Sequence, residues 1–293
     1  MPRGRLVLLA AVLAPLLYAG WVVAGLPSRA EVRALARANP GTTSLMRQRE
    51  REARRAGRPV RRVQASVPIS SVSRHLIHAV LSSEDQKFFG HEGVDWEAIK
   101  KSVEEDRSRG RFVRGGSTIT QQLAKNLFFT TEKTITRKLR ELIVARWMEG
   151  ELGKKRILEL YLNVIEWGDG VYGAQAAALR YFGKPASDLG PEEAAGLAGM
   201  IPNPRRINPL VDPRRFARAQ RRVLWLMAHA GYIRGDTAGL GAEPPPEPAE
   251  EDEAEPPPVV EPAATPEPSA TPEPSAPPET PATPEPTPTP GVR

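Results

Sequence analysis

The sequence has 293 residues, a net charge of +6 and no cysteine, so disulfides and thiolate metal sites are excluded. Charge is unevenly spread: residues 241–293 hold 19 of the 31 prolines and carry eleven Glu, one Asp and one Arg, a net −11, which leaves +17 on the first 240 residues. A body that basic points to an anionic partner, whether nucleic acid, a phosphate-bearing ligand or a lipid surface.

Residues 1–5 carry Arg3 and Arg5. Residues 6–26, LVLLAAVLAPLLYAGWVVAGL, follow as an uncharged run of 21, long enough to cross a bilayer as a helix. This is the pattern of a signal-anchor; a cleaved signal peptide is the alternative, although its apolar region is usually shorter. Pro15 is tolerable inside a membrane helix. Arg29, Arg33 and Arg37 lie beyond the run, so the Lys/Arg balance alone leaves its orientation open.

Residues 27–65 read as a basic juxtamembrane stalk. Within it, RQREREARRAGRPVRR (47–62) contains eight Arg. Contact with anionic headgroups and a solvated helix with Glu–Arg pairs are both compatible with this run. No aromatic residue is interleaved, which argues against nucleic acid.

Residues 66–240 read as one mainly helical domain. Apolar residues recur at three- and four-residue steps over 75–82, 96–103, 118–128, 135–148, 154–162, 171–182, 192–201 and 214–230. Alternating strand patterns are scarce, and Pro202, Pro204 and Pro209 mark a loop before the last helix. Residues 241–293 repeat ATPEP three times and contain no Phe, Trp or Tyr. Such a tail is expected to stay disordered and partly polyproline-II, as a spacer or a docking segment.

Three stretches are rich in chemistry. The first, LSSEDQKFFGHEGVDW (81–96), reads as a metal site, an acid/base site or a solvated helix end near Phe89–Gly90. His75 and His78 lie upstream, but the combination matches no recognised ligand spacing. The second, RGGSTITQQLAKNLFF (114–129), pairs Gly115–Gly116 with a helix start at Thr118 and Gln121. Gln121 and Lys125 then share one face, and Gln122 and Asn126 its neighbour. A helix N-terminus after glycines suits an anion, yet the Walker A ending is missing. In the third, 132–163, Lys133, Arg137 and Arg140 recur at spacings of four and three, so one face is cationic. Glu141 lies four residues after Arg137, while Ile135, Leu139, Leu142 and Val144–Ala145 supply the buried side. Surface ion pairing would contribute little, whereas several cations beside a polar helix suit a pyrophosphate.

Together these stretches resemble the peptidoglycan glycosyltransferases, which polymerise lipid II. The family's first motif, E-D-x-x-F-x-x-H-x-G-x-D, is filled by Glu84, Asp85, Phe88, His91, Gly93 and Asp95. The second, G-G-S-T-I-T-Q-Q-x-x-K-N, runs from Gly115 to Asn126, and R-K-x-x-E is Arg137, Lys138 and Glu141. The fourth, K-x-x-I-L-E-x-Y-L-N, is Lys154 to Asn163; Gly170, Gly173, Ala177, Ala178 and Tyr181 to Lys184 meet the fifth. The run NVIEWGDGVYGAQAAALRYFGK is most similar to the monofunctional branch.

The resemblance implies a mainly α, lysozyme-like fold of two lobes, the smaller one dipping into the membrane. It implies inverting transfer from an undecaprenyl-pyrophosphate-linked glycan to lipid II, giving β-1,4 strands. Glu84 is then the general base and Glu141 the second essential carboxylate, which holds the cationic cluster or reaches the donor through a metal or water. Lys125 and Lys133 match the pyrophosphate contacts, and Arg137 and Arg140 extend the cationic surface. Ser117, Thr118, Gln121, Gln122 and Asn126 orient substrate oxygens. Asp85, Phe88, His91, Gly93, Gly115 and Gly116 are structural. Phe128 and Phe129 are candidates for the membrane-facing lobe, with an ordinary core role as the alternative, and 104–114 for a segment folding over the growing chain. No cofactor is required; a divalent cation, Mg or Mn, is left open and no metal ligand is assigned. The expected partners are lipid II, the growing lipid-linked glycan, the bacterial inner membrane and other wall-synthesis or division proteins, with no nucleic acid. The body then lies outside the cytoplasm on a single-pass anchor. A lytic enzyme of lysozyme-like fold and a non-catalytic wall-binding scaffold are the competing readings.

Overall fold

The computed structural model describes the backbone of residues 3–109 and 116–234, with side chains from residue 11 onward except at 103 and 105–109. Gly115, residues 110–114 of the candidate covering segment and the Pro/Glu-rich tail lie outside the described residues. Helix α1, Arg3–Ala24, contains Pro15 and the uncharged run. From residue 11 on, its side chains are exposed apart from Val22. The stretch Ala11–Ala34 passes as a membrane span by length and composition.

Beyond α1, the chain packs onto the body. Ser28 caps α2, Arg29–Ala34, in a capping box with Glu31. Thr43 caps α3, Ser44–Arg55. Val32 and Leu35 join the core, and Leu45 and Met46 are buried. Polar ties reinforce this packing. Arg33 grips Glu151 at two points, Nε to Oε2 at 2.8 Å and Nη2 to Oε1 at 3.0 Å. Arg156 donates to the Leu35 and Ala38 carbonyls at 2.8 and 3.0 Å. The apolar positions at 32, 35, 45 and 46 are too few to register as periodicity among the arginines, yet they decide the packing.

Eight further helices build the body: α4 (Arg74–Glu84), α5 (Trp96–Arg109), α6 (Ile119–Phe128), α7 (Ile135–Glu151), α8 (Lys154–Val164), α9 (Ala174–Phe182), α10 (Pro191–Met200) and α11 (Pro213–His229). Ser73, Thr118, Thr134 and Asp212 cap α4, α6, α7 and α11 with their side chains. The core joins Leu76 and Val80 of α4, Ile119 and Leu123 of α6, Met148 of α7 and Ile157 and Tyr161 of α8. Helix α10 carries Ala194, Ala195, Gly196, Ala198 and Gly199, and α4 and α11 both pack against it.

A three-stranded sheet closes one side. It comprises β1 (Val63–Gln64), β2 (Glu166–Gly168) and β3 (Val171–Tyr172), in the order β1-β3-β2. Strand β1 is parallel to β3 and β2 antiparallel to it. Here the expected helix over 171–182 starts three residues late. Gly173 stands at φ 86°, where only glycine sits without strain, and a Cβ there would lie 2.9 Å from the Ala65 and Asn163 carbonyl oxygens.

Apolar residues near α7 also differ from expectation. Phe129 is buried and Phe128 packs on the core, so neither faces outward. Ile135 and Leu139, expected on the buried side of α7, are 79 % and 37 % exposed, beside α1, whose Tyr18 hydroxyl lies 3.0 Å from Thr136 Oγ1.

Candidate active site

The site is assembled where the turn after α4 meets the N-terminus of α6. Asp85 closes α4, and its Oδ2 accepts the Ile119 N–H at 3.0 Å, one of the unpaired donors at the start of α6. The His91 Nε2 lies 3.0 Å from Asp85 Oδ1, and His91 Nδ1 accepts the Gly93 N–H at 3.1 Å. With Nδ1 accepting, Nε2 is the ring N–H that faces Asp85. Gly93 then turns at φ 86° and offers its carbonyl to Thr118 Oγ1 at 2.7 Å and Gln121 Nε2 at 3.3 Å. Asp95 ends the turn by accepting the Ala98 N–H at 2.9 Å, starting α5.

The turn also rests on buried polar groups. Glu149 Oε1 accepts from Thr120 Oγ1 at 2.6 Å and Lys154 Nζ at 2.8 Å, and Lys154 lies 4.4 Å from the centre of the buried Phe88 ring. A Cβ on Gly93 would meet Glu149 at 3.1 Å and the Ala145 carbonyl at 3.2 Å. Gly93→Ala therefore combines a strained backbone with a tight contact. It should destabilise the protein by about 1–3 kcal/mol, read as a fall of roughly 2–12 °C in the thermal midpoint.

Glu84, the last residue of α4, accepts from Gln122 Nε2 at 2.8 Å, and Gln122 Oε1 accepts from the Tyr161 hydroxyl at 2.9 Å. Burial pushes the Glu84 carboxyl above the ordinary carboxylate range, partly offset by the Gln122 hydrogen bond and the Lys125 charge. Lys125 stands one turn after Gln121 on α6, within electrostatic reach of both Glu84 and Glu141. Burial draws its ammonium below the ordinary lysine range; Glu141 opposes this, while Arg137 and Lys138 reinforce it. The arrangement juxtaposes a carboxylate of raised proton affinity with a partly desolvated cation.

A cationic group lines the facing side of α7. Arg137 pairs with the buried Glu141 carboxylate, and Lys138 Nζ lies 3.6 Å from it. Lys138 also donates to Ser117 Oγ at 2.7 Å and Gln121 Oε1 at 2.8 Å. Burial lowers the Lys138 ammonium, with Glu141 opposing. Because Arg137 and Lys138 already cover Glu141, its oxygens do not fit a divalent ion, and no step is derived through one.

Residues 50–228 match the family model described as transglycosylase. The chain belongs to this family. Three relatives share the name biosynthetic peptidoglycan transglycosylase. That of Dechloromonas aromatica (strain RCB) is 53 % identical over 167 residues, covering 57 % of this chain and 72 % of the relative. That of Azoarcus sp. (strain BH72) is 47 % identical over 209 residues, covering 71 % and 84 %. That of Nitrosospira multiformis is 42 % identical over 192 residues, covering 66 % and 84 %. The transglycosylase match opens at residue 50, inside α3.

Within this transglycosylase, the structure gathers Glu84, Gln122 and Lys125 with Ser117, Arg137 and Glu141. Other candidates are placed differently. Thr118 and Gln121 are buried and direct their side-chain hydrogen bonds to the Gly93 turn and Lys138. Asn126 is buried on α6 without a hydrogen bond to any described residue. Lys133 is exposed on the loop between α6 and α7, before the helix begins. At Gly116 a Cβ would make only ordinary contacts, with Ser102 and Ile99. Arg140 leaves the site altogether. Its guanidinium donates to the Trp21 and Val22 carbonyls at 2.6 and 3.0 Å and stacks on Trp21. The carbonyls ending α1 carry the negative end of that helix, and they attract this cation.

Lys138, Tyr161, Glu149 and Lys154 were not singled out for the site. For Lys138 the signal was present, since it lies one turn before Glu141. An open groove of about 1060 Å³ is lined by His91, Trp96, Leu142, Ile143, Arg146 and Trp147 among others, and by none of Glu84, Gln122 or Lys125.

Proposed function

We propose that this chain is a peptidoglycan glycosyltransferase that polymerises lipid II by inverting transfer from a lipid-linked donor. The observation that carries the reading is Glu84, pushed up by burial and oriented by Gln122, within electrostatic reach of the cation Lys125. In the transfer, the acceptor 4-oxygen bonds to the donor's anomeric carbon. The bond from that carbon to the pyrophosphate breaks, and the acceptor's proton passes to Glu84. Lys125, with Lys133 and Arg137, stabilises the charge gathering on the departing pyrophosphate. Lys138 holds Ser117, and Glu141 holds Arg137 and Lys138, so the cationic wall is preset before substrate arrives. The relatives' shared name supports the substrate class.

The fold in this reading is the family's lysozyme-like pair of lobes. The smaller, membrane-facing surface is supported by Phe89, Trp96 and Ile135, which are 60 %, 70 % and 79 % exposed. Helix α1 anchors the chain in the bacterial cytoplasmic membrane with its N-terminus inside and its body on the outer side. Lipid II and the growing strand are its partners. The test is release of undecaprenyl pyrophosphate from labelled lipid II. One pyrophosphate carrier freed per disaccharide unit joined is expected; joining without release would contradict the donor assignment.

The site sets a pH prediction. The Glu84 base form is lost as pH falls through a raised pKa, so the acid limb of kcat/KM should lie above the ordinary glutamate value of 4.5. Gln122→Leu removes a hydrogen bond that holds this pKa down. Its acid limb should therefore move to still higher pH, and a limb at the parental pH would remove Gln122 from control of the base.

A further inference from the structure

We infer that Gln48, on the juxtamembrane helix α3, is a positioning residue for the loop that carries Lys133. The inference rests on the proposed function, in which Lys133 meets the donor pyrophosphate. Residues 129–134 join α6 to α7, and Thr131 through Thr134 are exposed. Such a segment has little apolar burial of its own to hold it. Gln48 supplies the hold from a helix 83 positions earlier in the chain. The Thr131 N–H donates to Gln48 Oε1 at 2.9 Å, and Gln48 Nε2 donates to Thr131 Oγ1 at 2.6 Å. The same Nε2 donates to Glu52 Oε1 at 2.7 Å, which assigns nitrogen and oxygen, because an ionised carboxylate only accepts.

That grip is itself anchored. Burial would raise the Glu52 carboxyl, but hydrogen bonds from Arg49 and Gln48 outweigh it and keep Glu52 an acceptor. Arg49 reaches Glu52 Oε2 at 2.9 Å with one nitrogen and Glu166 Oε2 at 2.9 Å with another. Glu166 belongs to β2 and its side chain is 4 % exposed. The links run Glu166, Arg49, Glu52, Gln48, Thr131, from the buried sheet to the loop. On the other side, Arg137 donates to the Glu132 carbonyl. The loop is thus held at Thr131 from α3 and at Glu132 from α7, and Lys133 follows directly. Gln48 lies outside the residues matched by the family and within none of its motifs. Losing the α3 hold leaves Lys133 attached but less preorganised for the departing group.

The test is a double-mutant cycle in the full chain on lipid II. Gln48→Ala should lower kcat/KM about 5- to 30-fold, and in the Lys133→Ala background it should lower it no further. A parental rate for Gln48→Ala, or losses that multiply in the double variant, overturns the inference. If Gln48→Ala fails to fold, Thr131→Val removes the hydroxyl half of the grip and replaces it in the same cycle, with the same outcomes. Hydrogen exchange separates this inference from the activity reading. The Thr131 amide should exchange faster in Gln48→Ala whether or not the parent polymerises lipid II, and unchanged exchange overturns the grip.

Discussion

Replacing Glu84 by Gln should lower polymerisation of lipid II by about 10²- to 10⁴-fold, the range that a positioned general base contributes. The thermal midpoint should stay the same or rise. Gln keeps an oxygen to accept from Gln122 Nε2 and has nearly the same shape. It also removes a carboxylate whose ionisation burial opposes, so the folded state loses an unfavourable charge. Activity and stability therefore move separately. A variant that polymerises at the parental rate would show that Glu84 is not the base. A variant that is inactive but unfolded would say nothing about the proton, so the thermal midpoint is read on the same preparation.

Lys125→Ala carries the second large effect. In the proposed reading Lys125 acts on two groups at once: it is assigned to the departing pyrophosphate, and its charge holds the Glu84 pKa down. Its removal should lower kcat/KM about 10²- to 10³-fold, comparable to losing one donor to a developing anion. It should also move the acid limb to higher pH, because Glu84 then lacks a cation that favours its charged form. The alkaline limb gives the converse check. Burial lowers the Lys125 pKa, so in the parent this limb should fall below the ordinary lysine value of 10.5 and should shift in the variant. Parental kinetics on both limbs would remove Lys125 from the phosphate side of the site.

Much of this was readable from local spacing. Helices α4, α6, α7, α8, α10 and α11 follow the period of their apolar residues, and Thr118 marks a start that the chain uses. The proximity of Glu84, Gln122 and Lys125 follows from motifs the chain carries intact, with α6 placing Gln122 and Lys125 on adjoining faces. What spacing cannot supply is the remote partner of a side chain. Arg137 and Arg140 are three residues apart, yet one pairs with Glu141 and the other caps α1, because the carbonyls of residues 21 and 22 lie on its side. Thr118 and Gln121 have the chemistry to bind sugar oxygens, but the Gly93 carbonyl reaches them first. The run WGDGVYG carries apolar residues at helical steps, and Gly173 at positive φ breaks the continuity that the pattern assumes. The 27–65 segment hid its packing because its buried residues are sparse among charged ones, while its strongest ties are to Glu151, Glu166 and Thr131, more than 80 positions away.

The central claim is that a proton-accepting Glu84 facing a preset cationic wall makes glycan rather than cutting it. The most direct measurement gives the purified full chain labelled lipid II in one reaction and purified sacculi in another. The account predicts polymeric β-1,4 glycan from lipid II and no soluble fragments from sacculi. Fragments released from sacculi, with lipid II left unpolymerised, would contradict it.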